Sequence, residues 1–464
     1  SEAMTDNAYT KQPNDFTQNI GNGSYSTADS YVKKVWDGRY TGIRMCNELL
    51  ENIDRVPDLD TDLKKRYIGE AKVLRAYNYY ELYTKFGDVP YTTKVLSIKE
   101  SMSIARTDRA TVIANMLADL DEVINGNYLP TSYDADNKGR ITRWAAMAIK
   151  AKIYLFEGNW MQVKNITSTI MTEGGFKLFG SYAGLFEIAN EYNSEVILDA
   201  QYRPTSREHQ MMYAFLPPSL GGYSQLSPLQ ELVDSYIMLD GKTIKETGTS
   251  FDETHPYANR DPRLKATVMY TGNSYTLVDG TEVEINCEKG EGKDGYGVGS
   301  DCSATGYYIK KYWDNTYRAT LYSGLNPILI RYADILLMNA EALAELGELD
   351  KTAWDATIKP IRDRAGFTLA SAVEFPEGAS KDKLIEIVRN ERRSELALEG
   401  HRHKDIIRWR IADDVLNGWC HGLKTNEVVG TDNGYVRVEN RAFNANRHYL
   451  WPIPCLLYTS PSPR

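Results

Sequence analysis

Long apolar runs are missing from this 464-residue chain. The nearest approach, 328–338, is broken by Arg331 and Asp334, well short of the roughly 20 apolar residues that a helix needs to cross a bilayer. A basic excess is missing too. Net charge is −9 with 25% charged residues, so there is no cationic field of the kind that holds nucleic acid, and nucleic acid is not expected as a partner. Cysteine is scarce: Cys46, Cys287, Cys302, Cys420 and Cys455 include no C-x-x-C pair and no zinc spacing, which argues against a metal cluster. Cys287 and Cys302 flank a glycine-rich loop. A bridge there would stabilise by about 3 kcal/mol on a loop-entropy argument, but spacing alone does not establish pairing. The G-x-S-x-G and H-E-x-x-H signatures are absent, so no motif asks for chemistry. A glycosidase's carboxylate pair is set by separation in space, which spacing along the chain does not test. The opening Ser1-Glu2-Ala3-Met4-Thr5-Asp6 holds neither a basic nor an apolar segment, so any export signal is expected to have been removed or never included.

What is present is helical periodicity. In 326–347, Leu329, Ala333, Leu336, Ala340 and Leu343 recur at spacings of three and four with Asp334, Asn339, Glu341 and Glu345 between them, which predicts an amphipathic helix. Asn326 can cap it, Pro327 suits its first turn and Gly347 ends it. The segment 352–365 repeats the pattern through Trp354, Ile358, Ile361 and Ala365, closed by Gly366. Two antiparallel helices of about 34 residues in all form the unit of a tetratricopeptide-type repeat. Further helices are predicted over 27–56, 62–86, 109–124, 142–157 and 161–172, with Ala145, Ala148 and Ala151 at close-packing positions. Tyr67, Tyr77, Tyr79, Tyr80 and Tyr83 read as half-buried helix residues. Between 174 and 325 the texture changes to Pro217-Pro218, Gly221-Gly222 and Gly290 to Gly299, with short β-branched pieces at 195–199 and 266–270. About 150 residues is too long for a linker and fits a loop-rich inserted subdomain. The expected class is therefore mainly α: a tetratricopeptide-like helical-hairpin superhelix carrying an insert with short strands. Its parts are 1–173 and 326–454 as helical hairpins, 174–325 as the insert, and 455–464 as a non-native tail.

Three local patterns take bland readings. Gly290-Glu291-Gly292-Lys293-Asp294-Gly295 matches G-x-G-x-x-G, yet no apolar strand enters it and no helix can open from Tyr296-Gly297-Val298-Gly299, so a mobile loop is expected. Asp134-Ala135-Asp136-Asn137-Lys138-Gly139 has Lys138 at a calcium-ligand position and Ala145 where the bidentate Glu belongs, which leaves a polar turn. His401 and His403 have no third ligand spaced nearby, so neither metal nor cofactor is expected. In 381–409 the charges alternate in sign at helical spacing, and pairing among Arg389, Arg392, Arg393, Glu386, Glu391, Glu395 and Glu399 accounts for them.

The strongest positive signal is Tyr307-Tyr308-Ile309-Lys310-Lys311-Tyr312-Trp313-Asp314-Asn315-Thr316-Tyr317-Arg318. Sugar rings present apolar C–H faces ringed by hydroxyls, so a binder needs exposed flat aromatics beside hydrogen-bonding side chains. Tyr312, Trp313, Asn315, Tyr317 and Arg318 supply both, with Tyr223 and Tyr296 as secondary candidates. Trp313 equally suits a strand's inner face, and Tyr307 is read as such. No catalytic residue is assigned.

Six separated motifs agree in order and spacing: Glu70-Ala71-Lys72-Val73-Leu74-Arg75-Ala76-Tyr77 leading into Phe86-Gly87-Asp88-Val89-Pro90; Arg260-Asp261-Pro262-Arg263-Leu264; Arg331-Tyr332-Ala333-Asp334; Arg362-Asp363-Arg364-Ala365-Gly366; Glu391-Arg392-Arg393 leading into Glu399-Gly400-His401-Arg402; and Leu450-Trp451-Pro452-Ile453-Pro454. Together they resemble the SusD/RagB family over nearly the whole chain. The resemblance implies a lipoprotein of Bacteroidetes on the outer face of the outer membrane. Such a protein is not an enzyme: it binds an oligosaccharide or polysaccharide and forms a lid on a SusC-like TonB-dependent transporter in nutrient uptake. The family's signal peptide and lipid-bearing cysteine are not in this sequence, so Ser1 is expected to be an internal start. After Pro454 the residues depart from the family pattern and resemble translated vector sequence. The rival readings are a repeat-scaffold adaptor that binds protein and a surface glycoside hydrolase.

Overall fold

Five long helices begin where a short polar side chain can accept from an otherwise unpaired backbone N–H. In the computed structural model, which describes residues 2–12, 17–317 and 320–454, Asp29 accepts from the amides of Tyr31 and Val32 to start Ser30–Asn52. Asp60, Asp108, Thr142 and Asn159 do the same for Thr61–Phe86, Arg109–Asn125, Arg143–Phe156 and Trp160–Glu173. Each lies within a few residues of its expected bounds and packs against the next. Tyr79, Tyr80 and Tyr83 are buried and Tyr67 and Tyr77 partly so, as expected of scaffold residues. Arg75 explains one of the six motifs: its guanidinium grips Asp119 with two nitrogens and reaches Asn47. Trp451 explains another, since its amide donates to the Lys85 carbonyl (2.6 Å) and its ring meets Phe86 edge-on at 5.9 Å. These helices and the returning chain form one compact unit, Ser24–Gly174 with Asn444–Arg464.

The second unit joins Ser1–Gly23 to Gly175–Phe443, so segment 326–443 shares a unit with the loop-rich stretch. Its strands pair antiparallel in twos: Ala8–Thr10 with Leu226–Pro228, Val196–Asp199 with Ile328–Arg331, Val268–Met269 with Tyr308–Ile309, and Asn273–Thr276 with Glu282–Ile285. A three-stranded sheet holds Thr431–Asp432, Tyr435–Ala442 and Asn417–Lys424. Sixteen α-helices occur among the described residues. With helix at 45% and strand at 12%, the chain is mainly α with small sheets.

Five expectations need correction. The helix expected from Asn326 starts only at Tyr332, because Ile328–Arg331 is drawn out as a strand beside Val196–Asp199. Asn326 does not cap it; its amide group bonds Asp199 and Tyr192, and its oxygen accepts from the Tyr202 amide. Nor has this helix a wet face along most of its length, since Ala333 through Ala344 are all buried. Segment 381–409 is two helices, Lys381–Glu395 and Arg402–Arg408, and the C-terminal part, expected to be helical hairpins, carries the longest strands described. The 266–270 piece is split between the end of a short helix, Pro262–Thr267, and the two-residue strand Val268–Met269. Gly347 does end its helix, with φ of +75°, where a side chain would be strained.

The charges expected to pair along one helix pair instead across elements, in a buried network. Arg331 donates to Glu195 (2.7 Å), Glu395 (2.6 Å) and both oxygens of Glu399 (2.8 and 2.7 Å). Arg263 bridges Asp261, Glu391 and Glu395, Arg362 joins Glu391, and Arg364 joins Glu195 and Glu395. Lys311 donates to Glu399 at 2.6 Å and to the Tyr182 hydroxyl at 2.8 Å. Five cations thus face five carboxylates, which is how so much charge can stay out of water. Burial lowers Lys311 to about 8 against the pull of Glu399. Burial would raise Glu399, but Arg331 and Lys311 hold it down at about 2. Asp334 pairs with Arg392, and Glu341 with Arg408 and the Trp409 indole, so both are structural partners.

Candidate functional site

The aromatic stretch before the long buried helix divides at Tyr312. That residue has φ of +62°, a left-handed turn that sends neighbouring rings opposite ways. Tyr312 itself goes inward: it is 4% exposed, its ring meets Phe186 at 4.8 Å, and its oxygen accepts from the Ile328 amide. It cannot present a face to a sugar, and we withdraw it from the site. Tyr307 is also buried, donating to Gln230 at 2.6 Å, and acts as the inner strand face expected of it.

Trp313 goes outward and stays half-buried. Its indole N–H donates to the Thr276 carbonyl (2.9 Å), and its ring lies 5.0 Å from Tyr275 and 5.3 Å from Tyr317. These contacts fix the ring's orientation. The loop after it is closed by Asp314, which accepts from Thr316 and Ser323. Asn315 sits on that turn, partly buried. Tyr317 donates to the Leu220 carbonyl at 3.0 Å, and burial raises its pKa, so it remains a neutral donor. Arg318 lies outside the described residues.

That Leu220 contact brings in a second loop. Tyr223 is 38% exposed and stacks on Tyr213 at 4.1 Å with planes 28° apart. Its turn is tight: a Cβ on Gly222 would stand 2.1 Å from the Leu216 carbonyl oxygen. A third loop joins at the neighbouring residue, where the Ser219 amide donates to Asp294 at 2.8 Å. The glycine-rich turn containing Asp294 is closed by the Tyr296 carbonyl, which accepts from Gly290, and the Tyr296 amide, which donates to Cys287. No helix opens from it. Cys287 and Cys302 are free buried thiols, with Cys302 Sγ donating to the Lys293 carbonyl at 3.2 Å.

Three loops therefore meet at Ser219-Leu220, and Trp313, Tyr317, Tyr213 and Tyr296 lie along the edge of one apolar cluster that includes Tyr275 and Tyr308. The edge is aromatic, and its rings are held by hydrogen bonds to the carbonyls of Thr276 and Leu220. It suits C–H faces and hydroxyls better than an ion. Sequence reasoning missed Tyr213, Leu220 and Tyr275 because their part depends on contacts far along the chain. It also missed Tyr322 and Trp419, which are 40% and 44% exposed. Among the described residues no three His, Cys, Asp or Glu side chains gather into a metal-holding group, and no helix is long and apolar enough to cross a membrane.

Comparison with known proteins gives a consistent result. A family model described as "SusD family" matches residues 185–455, and one described as "Starch-binding associating with outer membrane" matches residues 1–155. A SusD-like protein P25 from Formosa agariphila is 27% identical over 422 residues, covering 85% of this chain and 75% of the relative. A crystal structure of a SusD-like carbohydrate binding protein from Bacteroides fragilis superposes with a TM-score of 0.88 at 29% identity, over 98% of this chain and 90% of the other. A laminarin binding SusD-like protein superposes with a TM-score of 0.73 at 25% identity, over 99% and 91%.

Proposed function

Because the chain belongs to the SusD family, we propose that it is a glycan-binding protein of the outer membrane, and that it captures an oligosaccharide for a SusC-like TonB-dependent transporter over which it forms a lid. The observation that carries the reading is the convergence of Trp313, Tyr317, Tyr223 and Tyr296 on loops that meet at Ser219-Leu220. Each ring–sugar stack contributes about 0.5–1.5 kcal/mol, so a single ring is held weakly and a chain touching several is held by their sum. A relative's printed description as laminarin binding and a matched family's as starch-binding support the ligand class.

The reading is one of capture rather than bond cleavage, with no cofactor, and with attachment to the outer face of the membrane through a lipid anchor. Native electrophoresis through gels containing laminarin, soluble starch, xylan or galactomannan tests it. The protein is expected to be slowed by at least one of them, and Trp313→Ala to run faster in that gel. Mobility unchanged in every gel, with Trp313→Ala indistinguishable from the parent, overturns the reading. The lid role further predicts that the native protein, extracted from membranes in mild detergent, brings a β-barrel transporter with it.

A further inference from the structure

Of the eight tryptophans, Trp419 alone is exposed, at 44%, and nothing above employs it. It stands on Asn417–Lys424, opposite Asn440 of Tyr435–Ala442. An exposed indole held in place differs from one left over on a surface, and this one is held. The Arg437 guanidinium covers it at 5.6 Å, and Asp432 fixes Arg437. The other oxygen of Asp432 meets His421 Nε2 at 3.0 Å, while His421 Nδ1 meets Glu231 at 2.8 Å and its amide donates to the same carboxylate at 3.0 Å. A chain of four side chains thus runs from helix Gln230–Ser235 to the ring.

Trp419 lines a cleft of about 410 Å³ together with Asn417, Gly418, Asp234, Lys245 and Arg393. Gly418 beside it leaves open space where a Cβ would stand. The Asn417 amide group donates to two carbonyls, of Asp413 and Phe443, which turns its oxygen to other use. Asp234 accepts from Gln230 through one oxygen, and the second remains as an acceptor. Cations and carboxylates are mixed around the cleft, which favours a neutral ligand rich in hydroxyls over an ion. A further cleft of about 530 Å³ shares Asn390 and Arg393 with the first, so the two are neighbours.

We propose that this cleft is a second oligosaccharide subsite, with Trp419 as its stacking platform and Asn417, Asp234 and Lys245 as its hydrogen-bonding rim. It rests on the reading of the chain as a glycan binder. Both subsites belong to the same unit, and a polysaccharide long enough to reach both would gain by effective concentration.

The test uses the gels described above. In a gel that slows the parent, Trp419→Ala is expected to bind about five- to tenfold more weakly. Trp419→Phe, which keeps a flat ring, is expected to stay within about twofold of the parent. Unchanged thermal unfolding of Trp419→Ala assigns its loss to the ring. If Trp419→Ala matches the parent in a gel where Trp313→Ala is weakened, the second subsite is overturned and the glycan reading stands. If no gel slows the parent, both fall.

Discussion

Lys311 and Trp313 are two residues apart and live under opposite rules. Lys311 is 2% exposed, and its ammonium is saturated by Tyr182, Glu399 and backbone carbonyls. Trp313 makes one hydrogen bond and keeps part of its ring in water. The first belongs to a network in which every charge is answered, and such a network tolerates no loss, because one deletion strands a partner. The second belongs to a face whose value lies in what is left unsatisfied. All six motifs that carry the family resemblance contribute to the interior: Arg75, Arg263, Arg331, Arg362 and Glu391 make buried ion pairs, and Trp451 is buried against Phe86. The aromatic loops contribute none of them. On the proposed reading, the residues that carry the resemblance and those that meet the ligand are different.

Mutations separate the two regions. Arg331→Met leaves Glu195, Glu395 and Glu399 short of a cation, and we expect a loss of about 3–5 kcal/mol in denaturant unfolding, an effect that a glycan ligand does not create. Lys311→Met is expected to act through pH. Its folded-state value of about 8 lies below the ordinary 10.5. The unfolded chain therefore holds the proton that the folded one has lost, and this residue's contribution to stability rises between those pH values, by roughly 3 kcal/mol. The difference in unfolding free energy between parent and Lys311→Met, followed from pH 7.5 to 10.5, should show that rise; a flat difference would mean that burial does not lower this lysine's pKa in the folded protein.

Gly222→Ala sharpens the contrast from the other side, because it places a Cβ against the Leu216 carbonyl. It should cost about 1–3 kcal/mol and weaken glycan binding too, since it moves Tyr223. Trp313→Ala should weaken binding by about 0.5–1.5 kcal/mol with little change in unfolding, read by calorimetry on both counts. The smallest effect is expected of Tyr317→Phe, which removes one hydrogen bond to Leu220 and should cost about 1 kcal/mol of stability.

Much of the helical frame is legible in the sequence because its signals are local. Asp60, Asp108 and Gly347 lie beside the ends they define. The strand Ile328–Arg331 is not, since its partner Val196–Asp199 lies some 130 residues earlier and an Ile-Leu-Ile run suits either structure. Alternating charge over 381–395 reads as a self-paired face because pattern does not distinguish a partner on the same helix from Arg263 or Arg331 arriving from elsewhere. Of the site, composition reveals Trp313, Tyr317, Tyr223 and Tyr296. It does not reveal which way Tyr312 turns, because that depends on one backbone angle. Trp419 is hidden by the helical reading given to the whole C-terminal part.

The central claim, that ligand meets the loops and leaves the charged interior alone, is tested most directly by hydrogen exchange read by mass spectrometry, with and without the polysaccharide that slows the protein most. Protection gathered in the loops of Tyr223, Tyr296 and Trp313, with peptides around Arg331 and Glu395 unchanged, is the predicted result. Protection confined to other parts of the chain, with those three loops exchanging as in the free protein, would contradict it.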